Sequence, residues 1–300
     1  MCSKGVTDND VAHVWRQYTA LRIVVAHKHR KNEDDKLLWE HGWILIDENN
    51  DISMRRIVDL DGRYKTVIDN QIGDSTGWFL CNTKKIGIAA DTHAPYHSDA
   101  VMIAAEHFAI HGVDNIYLNG DILDCRSFNP HNQFQAAKDD VLQELNGLDE
   151  VLKIFHGIAP LSIVYGNHED FMRRFAEKYP QFYPLFEQAL ENTYQKYGTI
   201  VSANPNYWEK IGASAIIHHG SGDMFGVSGS NLEKSARVFG ELCIIGHTHS
   251  AAIRFGVYRT GCLCQMDQGY NNAYASNWNY GCAILYTDGE TDFVVPINFK

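Results

Sequence analysis

Residues 84–124 read KKIGIAADTHAPYHSDAVMIAAEHFAIHGVDNIYLNGDILD, and this stretch decides the fold. Two short apolar runs, residues 86–90 and 115–118, enclose a segment whose apolar side chains recur at helical spacing. The pattern predicts a strand, a helix that starts near Ser98, and a second strand. Each predicted strand runs directly into acidic and polar residues.

The alternation continues toward the C-terminus. A second helix is predicted from the apolar face formed by Val141, Leu145, Leu148, Leu152 and Phe155. Gly157 and Pro160 end this helix, and residues 161–165 form the next strand. A β-α-β-α-β succession within one sheet implies parallel strands joined by right-handed crossovers. In such sheets the functional groups gather at the carboxyl ends of the strands.

The second half of the chain is less regular. Residues 213–217 and 242–245 are predicted strands, each of which runs into a histidine-containing segment. Beyond residue 251 the helical signal disappears. Residues 253–257, 282–286 and 293–297 are predicted as strands of a closing sheet.

Five polar segments follow these apolar runs, and their lead residues stand at least 28 positions apart. They are Asp91-Thr92-His93, Gly120-Asp121, Gly166-Asn167-His168-Glu169, His218-His219-Gly220 and Gly246-His247-Thr248-His249. Carboxylate, imidazole and carboxamide donors suit Mn²⁺, Fe, Zn²⁺ and similar ions. An aspartate shared by two ions can bridge them, and Asp121 is the candidate. The segments therefore predict a two-metal site built from several loops.

Two local details bear on the geometry of this site. The four glycines Gly120, Gly166, Gly220 and Gly246 flank the candidate ligands, and we expect them to supply the positive φ angles of tight turns after strands. Adjacent side chains on a strand point to opposite faces, so only one of His218 and His219 can face the metals. His219, beside the glycine, is favoured, and His218 is the alternative.

In their order along the chain, the five segments resemble the motifs of the calcineurin-like metallophosphoesterase superfamily, from about residue 84 to 290. The resemblance implies an α/β fold, the calcineurin-like two-sheet α/β sandwich with a β-α-β-α-β core. It also implies two metal positions. The implied ligands are Asp91, His93, Asp121 and His249 for one ion, and Asp121, Asn167, His219 and His247 for the other.

The same resemblance implies a mechanism in which a hydroxide bridged by two divalent ions attacks phosphorus. His168 is the implied catalytic histidine that assists the leaving group, and Asp124 is the aspartate that orients it. We expect Mn²⁺ as the metal, with Fe, Zn²⁺ or Ni²⁺ as alternatives. Arg126 is a further candidate for contact with a substrate phosphate, although the phosphoprotein phosphatases place arginine directly after the aspartate, where this chain has Cys125.

The expected function is metal-dependent hydrolysis of phosphoester bonds, with a small molecule or a nucleic acid as substrate. One alternative is a nuclease that acts on DNA or RNA with the same site. Another is a non-catalytic binding scaffold, although a scaffold has no physical need for the full ligand set.

Residues 1–83 differ in character from the rest of the chain. A helical stripe near residues 11–18, a further helix that ends at about Trp39, and a hairpin over residues 43–58 predict a small α+β module of unknown role. We therefore expect two units, an N-terminal module at residues 1–83 and a metallophosphoesterase domain at residues 84–300.

Composition narrows the class of protein. The 300 residues are 45% hydrophobic, which favours a globular chain, and the net charge of -11 disfavours a broad nucleic-acid-binding surface. The seven cysteines form no metal or disulfide framework and are interpreted as reduced buried thiols. Without a signal-like or membrane-spanning apolar run, the expected location is cytoplasmic, with no membrane partner.

Overall fold

The computed structural model describes residues 83–129, 141–220, 242–254, 257–268, 277–290 and 292–299, together with six strands before residue 81. The predicted helices at residues 11–18 and near Trp39 lie outside the described residues. Among the helices in the described ranges, none combines the length and the hydrophobicity that a bilayer span requires.

The described elements are named in chain order. The strands are β1 (Arg22–Val25), β2 (His41–Ile46), β3 (Ile52–Leu60), β4 (Arg63–Ile68), β5 (Gln71–Asp74), β6 (Gly77–Leu80), β7 (Lys84–Ala89), β8 (Asn115–Asn119), β9 (Leu161–Val164), β10 (Gly198–Ser202), β11 (Trp208–Lys210), β12 (Ile216–His218), β13 (Cys243–Ile245), β14 (Ala252–Arg254), β15 (Val257–Arg259), β16 (Tyr280–Thr287) and β17 (Asp292–Phe299). The helices are α1 (Ala100–His111), α2 (Val141–His156), α3 (Asn167–Lys178) and α4 (Tyr183–Tyr197).

The strands form two sheets. The larger sheet has the order β10-β9-β8-β7-β16-β17-β3-β4-β5-β6, and β1 and β2 join it through β3. Strands β7, β8, β9 and β10 are parallel, as the alternation of strands and helices predicts. The smaller sheet has the order β11-β12-β13-β15-β14, with β12, β13 and β15 parallel. The α/β fold with two sheets is therefore confirmed.

The central strands of the larger sheet are buried on both faces. In β7, Ile86 and Ile88 pack toward the smaller sheet, in the core that contains Ile217 and Ile244. Ala89, on the opposite face of β7, belongs to the core formed with the helices. This alternation is the period-2 pattern of a strand held between two layers. The molecule thus has helices on one face of the larger sheet and the smaller sheet on the other.

Two predicted strands differ in the structure. The strand predicted at residues 213–217 begins only at Ile216, because the backbone N–H groups of residues 213–215 donate to the carboxylate of Asp292. The single strand predicted at residues 253–257 is wrong. Strands β14 and β15 pair antiparallel there, and they belong to the smaller sheet, whereas β16 and β17 belong to the larger one.

The strands before residue 81 contribute to the larger sheet. Strands β2 and β3 pair antiparallel at the position of the predicted hairpin, and Ser53 of β3 pairs with Ile297 of β17. The division of the chain into units at residues 1–83 and 84–300 stays a prediction.

Candidate metal centre

A first group of donors forms where β7 and β8 end. His93 donates through Nδ1 to Asp124 Oδ1 at 2.8 Å, and its Nε2 lies 3.0 Å from His249 Nε2. Asp91 Oδ1 is 3.3 Å from the same nitrogen of His249. The donor atoms of Asp91, His93, Asp121 and His249 lie within 4.8 Å of one another, and all four residues are buried. Because Nδ1 of His93 carries the proton, its Nε2 is left as an acceptor toward this group.

A second group forms beside the first and shares Asp121 with it. The donor atoms of Asp121, His219 and His247 lie within 4.8 Å of one another. His219 Nε2 is 3.1 Å from Asp121 Oδ2 and 3.3 Å from Asn167 Oδ1. The Nδ1 of His219 donates to the Asn119 carbonyl at 2.8 Å, which directs Nε2 into the group.

The two adjacent histidines at the end of β12 have different surroundings. His218 is the last residue of β12, and its carbonyl accepts a hydrogen bond from the Asn119 side chain. His219 follows the strand and contacts Asp121. Among the groups of metal-type donors that converge within the described residues, His219 occurs and His218 does not.

His168 occupies the first turn of α3, at the rim of the two groups. Its Nδ1 donates to the backbone carbonyl of Asp124 at 2.6 Å and lies 3.2 Å from Asp124 Oδ1. Its Nε2 lies 3.9 Å from Asp121 Oδ2. The side chain of His168 is 13% exposed, whereas that of His93 is 1% exposed. His168 and His247 are thus the partly buried histidines of this set, whereas His93, His219 and His249 are buried.

All nine residues predicted for the site thus lie in one connected cluster. Sequence reasoning missed the role of Glu169, whose carboxylate accepts the backbone N–H groups of Asp121, Ile122, Leu123 and Gly166 and the hydroxyl of Tyr194. Glu169 is the third residue of α3, and its bond to the Gly166 N–H is the glutamate half of a capping box, whose other half the glycine cannot supply. Glu169 fixes the loop that carries Asp121.

Other contacts had no signal in the sequence. Cys264, interpreted only as a buried thiol, lies within 4.8 Å of the donor nitrogens of His93 and His249. The ring of Trp278 packs edge-on against His249 with centroids 4.0 Å apart. Both residues come from the C-terminal segments, and neither has a ligand-like spacing to the polar motifs.

The predicted role of the four glycines is half correct. Gly120 and Gly220 have positive φ angles of 83° and 100°. Gly166 has φ -95°, and Gly246 is absent from the described glycines with positive φ. These two positions are glycine because space is missing: a Cβ at Gly166 would lie 2.1 Å from Asp121 Oδ1, and one at Gly246 would lie 2.7 Å from Ala90 Cβ.

The buried charges of the two donor groups favour the binding of a proton or a cation beside Asp121. Burial lowers the pKa of His93 and lowers the pKa of His247 to about 4, so both imidazoles are neutral near pH 7. For His219 and His168, attraction to Asp121 outweighs burial and raises the pKa to about 9 and about 10. The same histidines outweigh burial at Asp121 and hold its pKa well below its ordinary value. The ionised carboxylates thus keep protons on the neighbouring histidines, and a divalent cation at the same place would meet the same attraction.

The donor chemistry fits divalent metal ions. Imidazole nitrogens that face each other at 3.0 Å, as in His93 and His249, repel unless a proton or a cation lies between them. Carboxylate oxygens complete the set without any thiolate cage. The donors gather at the carboxyl ends of parallel strands, the edge where α/β sheets carry their functional groups, and they form a candidate metal centre there.

Comparison with known proteins identifies the family. The model of the calcineurin-like phosphoesterase superfamily domain matches residues 85–263, more than half of the chain. The protein therefore belongs to the calcineurin-like phosphoesterase superfamily, and it is a metal-dependent hydrolase of phosphoester bonds. The resemblance noted in the sequence is confirmed.

Solved structures and curated proteins complete the comparison. Similar structures include Yfce, a phosphoesterase from E. coli, at 16% sequence identity and a TM-score of 0.36, over 69% of this chain and 96% of that chain. A dimetal phosphatase from Danio rerio is similar at 11% identity and a TM-score of 0.36, over 72% of this chain and 96% of that chain. No curated protein matches the sequence.

Proposed function

We propose that the protein hydrolyses phosphoesters at a centre of two divalent ions that share Asp121. The proposed ligands are Asp91, His93, Asp121 and His249 for one ion, and Asp121, Asn167, His219 and His247 for the other. The observation that carries the proposal is the place of Asp121 in both donor groups. When bound, the two ions supply an activated water and neutralise charge that develops on the phosphoryl oxygens.

We assign the catalytic role to His168 and the orienting role to Asp124. The Nδ1 proton of His168 is engaged by Asp124, so Nε2, which lies 3.9 Å from Asp121 Oδ2, faces the proposed metal positions and is free to act on a leaving group there. The partial exposure of His168 supports this assignment, since a leaving group departs toward solvent. A histidine in this position stabilises or protonates the departing oxygen, which typically contributes 10²- to 10⁴-fold to the rate.

The proposed metal is Mn²⁺, with Fe, Zn²⁺ or Ni²⁺ as the ions to compare. Carboxylate and imidazole donors in the two groups support an ion of borderline character. The proposed substrate is a small phosphoester. The net charge of -11 supports a small molecule over a nucleic acid, because binding to a long phosphate backbone is favoured by a basic surface.

The test compares wild type, His168→Ala and Asp121→Asn after removal of metal and reconstitution with Mn²⁺. Hydrolysis of p-nitrophenyl phosphate and bis-p-nitrophenyl phosphate is measured beside the metal content per chain. We expect two ions and turnover in wild type. We expect two ions but a loss of about 10²- to 10⁴-fold in His168→Ala, and loss of both ions in Asp121→Asn.

The control is Asp149→Asn, which removes a carboxylate that pairs with Lys196 on the helical surface. It should behave as wild type. A wild-type protein that binds no metal, or that binds two ions and hydrolyses neither ester, would refute the proposal. Cleavage of single-stranded DNA or RNA with no turnover of small monoesters would favour the nuclease alternative.

A further inference from the structure

Arg126 is almost enclosed beside the proposed catalytic histidine. It begins the short 3-10 helix Arg126–Phe128, two residues after Asp124, and its side chain is 12% exposed. Its Nε donates to Asp124 Oδ2 at 2.7 Å, and its Nη2 donates to Gln268 Oε1 at 2.9 Å. The guanidinium carbon lies 3.7 Å from the centre of the Tyr96 ring. Two hydrogen bonds and the Tyr96 ring thus fix the position of the guanidinium group.

The two oxygens of Asp124 divide their partners. Oδ1 faces the Nδ1 atoms of His93 at 2.8 Å and His168 at 3.2 Å, whereas Oδ2 accepts the hydrogen bond from Arg126. Rotation of the carboxylate about the Cβ–Cγ bond would move Oδ1 away from both histidines. A charge-assisted hydrogen bond to Oδ2 opposes this rotation, because it is roughly twice as strong as one between neutral groups.

Arg126 is itself anchored from the C-terminal part of the chain. Gln268 is buried, and its Nε2 donates to the carbonyls of Gln265 at 2.9 Å and Tyr96 at 3.3 Å. The backbone N–H of Gln265 donates to the Tyr96 carbonyl at 2.8 Å. Arg126 therefore connects Asp124 to two other loops, and its orientation is fixed before any substrate binds.

We propose that Arg126 is a positioning residue that locks the carboxylate of Asp124, so that His168 is aimed at the leaving group. This inference rests on the proposed function. It replaces the expectation that Arg126 contacts a substrate phosphate, because two of its nitrogens already bind protein oxygens. Partners of this kind behind a ligand or a catalytic group typically change affinity or activity 10- to 100-fold.

The experiment measures kcat, KM and metal content for Arg126→Met and Arg126→Lys. Each Arg126 substitution is made both in the protein with His168 intact and in the His168→Ala protein. The substrates are the p-nitrophenyl ester that wild type hydrolyses and its phenyl counterpart, whose leaving group is poorer. The matched control is Arg173→Met, which removes an arginine that pairs with Asp170 and Glu177 on α3.

We expect Arg126→Met to lower kcat about 10- to 100-fold with KM nearly unchanged. The loss should be larger for the phenyl ester, because assistance by His168 matters most for a poor leaving group. Arg126→Lys should recover part of the loss. In the His168→Ala background the same change should have little further effect on kcat, since Arg126 acts through His168. Arg173→Met should match wild type.

Three results would overturn the inference. An increase in KM with unchanged kcat would mean that Arg126 binds the substrate directly. Losses that multiply in the His168→Ala background would mean that Arg126 acts independently of His168. Wild-type kcat in Arg126→Met would mean no role at all. Failure of the proposed function is distinct, because it appears as an inactive wild type before any arginine variant is compared.

Discussion

The proposed ligand residues adopt a left-handed backbone conformation, which residues other than glycine rarely adopt. Asp91, His93, Asp121, His247 and His249 have φ angles between 48° and 65°. Left-handed backbone costs roughly 1–2 kcal/mol for a residue other than glycine, and it persists where the surroundings fix it. The donor directions at the centre are therefore set by the protein before an ion binds.

The tight contact at Gly166 gives a prediction at this scale. Gly166→Ala should displace Asp121, because the added Cβ would lie 2.1 Å from Oδ1 and 2.3 Å from the backbone nitrogen of Asp121. We expect metal affinity to fall by at least about 10-fold. The measurement is metal content after dialysis against buffers of fixed free Mn²⁺. Retention of both ions at wild-type affinity would contradict the assignment of Asp121 as the shared ligand.

A second residue-scale prediction concerns Glu169, which receives five hydrogen bonds on two oxygens. Glu169→Gln replaces one carboxylate oxygen with an amide NH2 group, which would face the N–H or O–H groups that now donate to that oxygen. We expect the free energy of unfolding in urea to fall by about 2–4 kcal/mol, since buried donors that lose a charged acceptor are costly. Tyr194→Phe, which removes only one donor, should cost about 1 kcal/mol. Equal losses in the two variants would show that the carboxylate does not hold the loop.

At the scale of elements, the loop after β7 is supported by a helix. Gly147 lies inside α2, and a Cβ there would be 2.6 Å from both Cα and Cβ of Pro95. Pro95 follows His93 by two residues in the same loop. The glycine thus allows α2 to pack against the backbone of a loop that carries two proposed ligands.

Gly147→Ala should therefore act against helix propensity. Alanine in a helix is ordinarily favoured over glycine by about 1 kcal/mol, but here we expect a loss of about 1–3 kcal/mol from overpacking, with weaker metal binding. Urea unfolding and metal titration provide the measurement. Gly157→Ala is the control, because its nearest atoms lie at 3.4 and 3.5 Å. A stabilised Gly147→Ala protein would mean that α2 does not constrain the loop.

The elements also show what a sequence predicts well. Strands β7, β8 and β9 and helices α1 and α2 follow hydrophobic periodicity, and the structure places them where that pattern predicts, within about two residues. The convergence of the nine predicted residues follows as well, because polar segments at the ends of parallel strands meet at one edge of a sheet. The order of the motifs along the chain, each directly after a predicted strand, is what predicts this convergence.

Other features depend on contacts between distant residues and leave no periodic signal. The late start of β12 results from Asp292, 77 residues beyond Ala215. The reason for glycine at positions 166 and 246 is a neighbouring atom, not a local angle. The link of Arg126 to Gln268 spans 142 residues. Pairings of this kind are decided by packing of the folded chain.

At the scale of the whole molecule, Asp292 connects the two sheets. It begins β17 of the larger sheet, and its carboxylate accepts the backbone N–H groups of Ala213, Ser214 and Ala215, which lead into β12 of the smaller sheet. Burial alone would raise the pKa of Asp292, but hydrogen bonds from Thr287 and these backbone groups outweigh it and lower the pKa below its ordinary value of 3.8.

This shift predicts a pH dependence of stability. Because the pKa of Asp292 is lower in the folded state, its contribution is present above pH 3.8 and is lost as the pH falls through the folded-state pKa. Asp292→Asn should be less stable than wild type near pH 7, and the difference should shrink in acid. Urea unfolding of metal-free protein between pH 7 and pH 3 measures it. A difference that does not change with pH would exclude the ionised carboxylate as the cause.

The division of the proposed ligands between two sheets has a further consequence. Asp91, His93 and Asp121 follow strands of the larger sheet, whereas His247 and His249 follow a strand of the smaller one. An ion held between His93 and His249, as proposed, would fasten positions 156 residues apart, as a disulfide does. In the chain-entropy model, a cross-link that closes about 100 residues restricts the unfolded chain by roughly 4.7 kcal/mol. We therefore expect the proposed metal centre to act as a reversible cross-link, so that a chelator would destabilise this protein as a reductant destabilises a disulfide-bonded one.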